Sequence, residues 1–190
     1  QLIEAGLIRE EDVWRRIRLA LEAGNPHVAK VVANALPETQ RPGGALFDQA
    51  ARDPARLLNA DNKLDFSRRG DREIALYALE QLARRSSVEA EQALHKRAPQ
   101  FGAEELRTAW ARLATWAARR HEVGALSWFQ QAGVVAVNDF QREWWVRAAL
   151  RAGDWQTVLR VIDSMGDSSR ALPGWRYWRE VLVPGALPSV

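Results

Sequence analysis

The sequence contains no cysteine, and this absence removes several kinds of chemistry at once. Disulfides, thiolate metal sites and cysteine nucleophiles are all excluded. The chain also has no apolar stretch close to the roughly 20 consecutive residues that a membrane-spanning helix needs. No signal peptide is visible, and because the 190 residues begin at Gln1 rather than at methionine, we expect that the natural start has been removed.

Lysine is scarce, so almost all of the positive charge is carried by arginine: the only lysines are at positions 30, 63 and 96. The formal net charge is +3, from 27 basic and 24 acidic residues, and the isoelectric point is about 9.8. Arginine pairs such as Arg15-Arg16 and Arg119-Arg120 alternate with acidic residues, and no run of five like charges occurs. This pattern is typical of solvated helix faces, and it predicts no nucleic-acid partner.

Recognised catalytic and cofactor-binding motifs are also missing. The nucleophile motif GxSxG, the phosphate-binding motif GxxxxGK followed by Ser or Thr, and the dinucleotide motif GxGxxG are absent. His27 and His95 are isolated, and the adjacent pair His121-Glu122 fits a surface turn better than a metal site. We therefore assign no catalytic, cofactor-binding or metal-binding residue, and we predict no cofactor.

A recurring motif dominates what remains: a helix that ends in Ala-Gly, a break of one or two residues, and a second amphipathic helix. One copy covers residues 19–35 and another covers residues 148–162. In the first copy, Gly24 suits the left-handed position after a helix, Asn25 the next N-cap, and Pro26 the first helical position. The repetition predicts an all-α fold, an α-solenoid or superhelix of antiparallel helical hairpins with about ten helices and no sheet.

Apolar periodicity places the individual helices. Strong stripes predict helices over residues 10–23, 71–85, 104–120 and 122–132. The second helix of the first hairpin carries a stripe at helical spacing, formed by Val28, Val31, Val32 and Ala35. We predict one α-superhelical domain over residues 1–182, with an irregular loop near residues 59–70, and a disordered tail over residues 183–190.

Tryptophan is abundant, with nine residues in the chain. Because they fall on apolar stripes, the following are predicted to pack in the core: Trp110, Trp128, Trp144, Trp145 and Trp155. The segment Trp175-Arg176-Tyr177-Trp178 lies less clearly on such a stripe. Since aromatic rows can stack on sugar rings or bases, we predict a contact surface formed by Trp175, Arg176, Tyr177 and Trp178.

Several segments, taken in order, resemble the helical superhelix region of the soluble lytic murein transglycosylases. They are residues 12–18 (DVWRRIR), 48–54 (DQAARDP), 72–79 (REIALYAL), 141–155 (QREWWVRAALRAGDW) and 175–178 (WRYW). The resemblance runs from about Glu10 to Glu180. The sequence departs from the family after Trp178, where the helix is expected to continue but Pro184 and Gly185 interrupt it.

In that family, a ring of helical hairpins precedes a lysozyme-like catalytic domain. The enzyme cleaves the MurNAc–GlcNAc bond of peptidoglycan without water, using one Glu that is followed by Ser, and leaves a 1,6-anhydro product. No Glu of this chain is followed by Ser, so no catalytic residue is carried over. The resemblance therefore implies a periplasmic scaffold whose partners are peptidoglycan glycan strands and the catalytic domain of the same natural chain.

Two alternatives remain open from the residues alone. A stand-alone protein-interaction solenoid of the tetratricopeptide kind has the same hairpins, but irregular spacing and the loop near residues 59–70 break its roughly 34-residue period. A nucleic-acid-binding solenoid would use the arginines, and a steep loss of affinity with rising salt would reveal it.

Overall fold

The computed structural model describes residues 8–182, and the predicted tail over residues 183–190 lies outside that range. Within residues 8–182, twelve α-helices and two short 3-10 turns account for the regular structure, and no strand is present. The prediction of an all-α fold is therefore confirmed. None of these helices is long and apolar enough to cross a membrane.

The chain divides into two compact units, the first unit comprising residues 1–101 and the second unit residues 102–190. The prediction of a single superhelical domain over residues 1–182 stays a prediction. The helices of the first unit are α1 (Glu10–Glu22), α2 (Pro26–Ala33), α3 (Gly44–Arg52), α4 (Pro54–Asn59), α5 (Arg69–Arg85) and α6 (Ser87–Arg97). Those of the second unit are α7 (Ala103–Arg119), α8 (Ala125–Ala132), α9 (Asp139–Ala152), α10 (Trp155–Asp163), α11 (Asp167–Arg170) and α12 (Pro173–Leu182).

Local signals set most of the helix boundaries in the first unit. Gly24 adopts a φ of 72° after α1, which glycine tolerates without a Cβ clash. The Asn25 side chain then accepts a hydrogen bond from the backbone N–H of Val28 at 3.2 Å and so caps α2. Asp53 and Ser86 cap α4 and α6 in the same way. The local signals that predict the first hairpin are therefore present in the structure.

The core of the first unit is built around α5, which packs against α3, α4 and α6 and is buried along most of its length. The largest fully buried side chains around it are Trp14, Phe47, Leu57, Leu58 and Ile74. Helix α1 is fastened to α5 by an ion pair in which Arg18 donates to both carboxylate oxygens of the buried Glu73, the shortest contact being 2.6 Å. The irregular connection between α4 and α5 covers residues 60–68.

The apolar stripe predicted for α2 is wrong by one position. Ala29 and Ala33 face the core, whereas Val28 and Val31 are exposed. Alanine at the contact lets two helices approach closely, and the hairpin partner α1 packs on this alanine face. Two apolar stripes lie side by side on α2, and periodicity alone does not distinguish the one that faces inward.

The second unit packs α7 against α8 and α9, and α9 against α10. At its centre the rings of Phe129 and Trp145 stack with centroids 5.2 Å apart and planes within 5°. A capping box begins α9, since Asn138 and Gln141 exchange side-chain-to-backbone hydrogen bonds of 2.9 and 3.0 Å. Asp154 caps α10 after Gly153, whose φ is 68°.

Candidate functional site

Eight of the nine tryptophans belong to the second unit, and the structure sorts them by burial. Trp110, Trp128 and Trp145 are buried, as predicted. Trp144 is half-buried rather than buried. Trp155 contradicts the core prediction outright, because 48% of its surface is exposed. Trp155 is the first residue of α10, at the end of the apolar stripe, and its ring is covered only in part, by Trp178 of α12.

Three tryptophans and two arginines form an alternating row that we call the Trp–Arg ladder: Trp116, Arg119, Trp144, Arg147 and Trp175. The Arg119 guanidinium lies 4.5 Å from the ring centroid of Trp116 and 5.9 Å from that of Trp144. The Arg147 guanidinium lies 4.9 Å from the rings of both Trp144 and Trp175. Cation–π contacts of this geometry stabilise packing, and the ladder ties α7, α9 and α12 together. A guanidinium group lies against each ring of the ladder, so this contact occupies part of every ring.

A second aromatic group is open to solvent. We call it the aromatic surface, and it consists of Trp155 on α10 with Tyr177 and Trp178 on α12. The rings of Trp155 and Trp178 stack at 6.2 Å with an interplanar angle of 21°, and Tyr177 meets Trp178 edge-on at 5.5 Å. Tyr177 is 58% exposed. The rings contact one another, and Trp155 and Tyr177 are exposed, whereas Trp178 is half-buried.

The helical repeat of α12 explains where the predicted contact residues lie. Trp175 faces inward, is buried and belongs to the Trp–Arg ladder. Tyr177 and Trp178 reach the aromatic surface, and Arg176 is exposed beside Glu180, with 3.8 Å between their charged atoms. The predicted role of these four residues in contacting a ligand stays a prediction. Sequence reasoning did not include Trp155 in the contact surface. The available signal was its position directly after the N-cap Asp154, which places it at the start of a helix.

The charges around the aromatic surface are largely balanced. Arg179 donates a hydrogen bond of 2.7 Å to Asp163, and this contact raises the pKa of the Arg179 guanidinium. The surface therefore offers exposed aromatic rings in a nearly neutral setting. Aromatic rings bind the apolar C–H faces of sugars and the faces of bases, and they also pack in protein interfaces. In the part of the chain that the structure describes, no cluster of three metal-ligating side chains is found.

These observations define a class of protein, an all-α chain of helical hairpins with a rigid, exposed aromatic surface. Comparisons with protein-family models and with curated proteins find no match. Among solved structures, the chain is similar to the lytic transglycosylase Slt of Pseudomonas aeruginosa, studied as an inactive mutant, with a TM-score of 0.69 and 27% sequence identity. The similarity covers 100% of this chain and 31% of that one. It confirms the resemblance to lytic transglycosylases that the sequence predicts.

Proposed function

We propose that this chain is the helical scaffold of a periplasmic lytic transglycosylase that acts on peptidoglycan, and that it contacts the glycan strand through the aromatic surface. The observation that carries the proposal is the similarity to Slt over the whole chain, at 27% identity. The chain spans about a third of the length of that enzyme, 31%. The catalytic step is assigned to a lysozyme-like domain of the same natural protein, which the scaffold holds against its substrate.

The aromatic surface suits a polysaccharide. Trp155 stacks on Trp178 and still exposes 48% of its surface, and exposed aromatic rings stack on the C–H faces of pyranose units. The contact is sequence-tolerant, because every sugar along a strand offers similar faces. A scaffold that guides a long repeating polymer needs this kind of contact more than a single deep pocket.

The acidic residues of the first unit support the assignment of chemistry to another domain. A general acid for glycosidic cleavage must hold a transferable proton beside the bond. The buried carboxylate of Glu73 instead accepts three hydrogen bonds from Arg18. Glu80 accepts a hydrogen bond of 2.9 Å from Arg84. Both carboxylates are engaged in ion pairs within the fold.

A protein-interaction solenoid is the second candidate, and one observation favours it. The first hairpin exposes three large apolar side chains, Leu19 on α1 with Val28 and Val31 on α2. Exposed apolar side chains that belong to one hairpin are a common feature of protein interfaces. In this alternative the chain captures a partner protein and has no affinity for glycan.

Pelleting with purified peptidoglycan sacculi separates the two candidates. The purified chain is incubated with sacculi and centrifuged, and mass spectrometry of the supernatant records any released anhydro-muropeptides. A double substitution, Trp155→Ala with Trp178→Ala, tests the aromatic surface. Phe140→Ala is the matched control, because Phe140 is an exposed aromatic residue of the same unit that lies on a different helix.

We expect the unaltered chain and the Phe140→Ala variant to pellet with sacculi, the double variant to pellet clearly less than either, and no anhydro product to appear. Equal pelleting of all three proteins would contradict the role of the aromatic surface. Failure of the unaltered chain to pellet would favour the protein-interaction solenoid. Release of anhydro products would contradict the assignment of catalysis to another domain.

A further inference from the structure

The second unit contains a cleft of about 440 Å³ beside the turn that joins α7 to α8. Its walls are mainly apolar and come from Val123 and Leu126 on one side and from Ala148 and Ala152 of α9 on the other. Arg151 and Glu122 are its charged lining residues. The size lies within the range of small-ligand sites, which are typically apolar concavities with a few polar groups.

The charges of this cleft are unbalanced. The carboxylate of Glu122 accepts a hydrogen bond of 2.6 Å from the Nε–H of Arg120, so its negative charge is compensated. The Arg151 guanidinium makes one hydrogen bond, from Nη2 to the carbonyl oxygen of Ala118 at 3.0 Å. Among residues 8–182 no carboxylate pairs with Arg151. The cleft therefore presents a guanidinium with unused donors next to apolar walls.

The neighbourhood of Arg151 adds to this positive character. Burial and the nearby charge of Arg147 lower the pKa of the Arg151 guanidinium. An arginine remains charged in proteins despite such effects. An anion placed in the cleft would relieve the repulsion between the two guanidinium groups, and it would accept charge-assisted hydrogen bonds from the exposed Arg151.

The turn at the mouth of the cleft differs from the α1–α2 and α9–α10 turns. Gly24 and Gly153 occupy the left-handed positions of the α1–α2 and α9–α10 turns, whereas His121, with a φ of 60°, occupies that position after α7. A left-handed conformation costs a residue with a Cβ more than it costs glycine. The neighbouring Val123 is 99% exposed. This turn therefore keeps a polar ring and an apolar side chain at the cleft where glycine would be the relaxed choice.

We infer that this cleft binds the free carboxylate end of a short peptide with small apolar side chains, the chemistry of the alanine-ended peptide stems on peptidoglycan. The inference rests on the proposed function for the source of the peptide. The Arg151 guanidinium takes the carboxylate, with two parallel N–H donors available for a bidentate contact. Leu126, Ala148 and Ala152 take the methyl groups of the alanine-class residues.

The test titrates the purified chain with N-acetyl-D-alanyl-D-alanine and follows backbone amide signals by NMR. The C-terminal amide of the same dipeptide is the matched probe, because it differs only in lacking the carboxylate. Three variants accompany it: Arg151→Gln removes the guanidinium, Ala152→Phe fills the cleft from an exposed helix position, and Arg107→Gln is the charge-matched control on a part of α7 outside the cleft. Thermal melting of each variant establishes that it is folded.

We expect the acid to shift the signals of cleft residues such as Leu126 and Ala152. The amide probe and the Arg151→Gln variant should each weaken binding about tenfold or more, which corresponds to the loss of a charged hydrogen bond. The Ala152→Phe variant should weaken binding by a similar factor because the phenyl ring fills the cleft. The Arg107→Gln variant should bind as the unaltered chain does.

Equal binding of acid and amide, undiminished binding by a folded Arg151→Gln variant, or no shift at cleft residues up to millimolar peptide would each overturn the inference. The outcome is separable from that of the proposed function. Sacculi that pellet the chain through the aromatic surface without any dipeptide binding would leave the proposed function standing and refute the peptide cleft. Dipeptide binding without sacculus binding would support the peptide cleft and refute the proposed function.

Discussion

The two units of this chain differ in where they bury charge. All of the charged side chains that are buried in the described part of the chain belong to the first unit. They are Asp71, Glu73, Glu80 and Arg97. The second unit buries no charged residue within its described range, and several of its arginines lie against tryptophan rings, a contact that the first unit also makes between Arg69 and Trp14. The net charges are similar, with 16 basic against 15 acidic residues in the first unit and 11 against 9 in the second.

Two arginines with the same structural task show the difference. Arg97 is 4% exposed, and its Nε and Nη2 atoms donate to the carbonyl oxygens of Leu58 and Ala60 at 2.8 and 2.9 Å, which closes the end of α4. Arg151 closes the end of α7 with a single bond and keeps its other donors at a cleft. The comparison indicates that Arg97 serves the stability of the first unit, whereas Arg151 keeps donors available for a ligand.

The largest expected effect concerns the core of the second unit. Replacing Trp145 with Ala should lower the free energy of unfolding by about 4 kcal/mol, because it removes a fully buried ring and leaves a cavity beside Phe129. The same change at the exposed Trp155 should cost less than about 1 kcal/mol. Urea denaturation monitored by circular dichroism measures both, and similar costs at the two sites would contradict the division between core and surface tryptophans.

The arginine comparison predicts the next largest effect. Arg97→Ala leaves the carbonyl groups at the end of α4 without their donors and should cost about 3 kcal/mol in unfolding free energy. Arg151→Ala removes one bond at a partly exposed site and should cost about 1 kcal/mol. Chemical denaturation of the two variants tests the claim directly. A loss at Arg151 as large as that at Arg97 would show that both arginines serve only stability.

A pH-dependent effect is expected at Asp139. Hydrogen bonds from Ser169, Arg142 and the backbone of Gly166 hold the pKa of Asp139 below its ordinary value of 3.8. A lowered carboxylate pKa contributes stability that is complete above the unfolded value and is lost as pH falls through the folded value. The Asp139→Asn variant should therefore be about 1 kcal/mol less stable than the unaltered chain at pH 6. That difference should shrink below about pH 4, and a difference that stays constant from pH 6 to pH 3 would refute this account.

The smallest expected effect is a gain in stability. His121→Gly should raise the unfolding free energy by about 0.5 to 1 kcal/mol, because glycine tolerates the left-handed backbone that His121 adopts. Thermal melting provides the measurement, and Gly153→Ala is the opposite control, since it should destabilise the equivalent turn after α9. A loss of stability in His121→Gly would show that the His121 side chain contributes to packing.

Sequence reasoning predicted the features that depend on neighbours in the chain. The predicted cap at Asn25 is local, because its side chain accepts a hydrogen bond from a backbone N–H three residues later, and the caps found at Ser86, Asn138 and Asp154 have the same spacing. Helix boundaries followed from them within a few residues. The fold class then followed from the repetition of such hairpins.

The features that sequence reasoning missed are non-local. The Trp–Arg ladder joins Arg119 of α7 to Trp144 of α9, and no periodic pattern predicts which arginine lies over which ring. The anchoring of α4 by Arg97 spans more than 35 residues for the same reason. The exposed valines of α2 and the exposed Trp155 were misplaced because apolar spacing identifies a stripe without identifying what covers it.

The central claim is that the aromatic surface contacts glycan while the other tryptophans serve packing. NMR of the indole N–H signals tests it most directly, with the purified chain titrated by glycan strands stripped of their peptide stems. The account predicts shifts confined to Trp155 and Trp178, with Trp145 unchanged as an internal control. Unchanged signals at Trp155 and Trp178 with saturating glycan, or shifts spread equally over buried and exposed tryptophans, would contradict it.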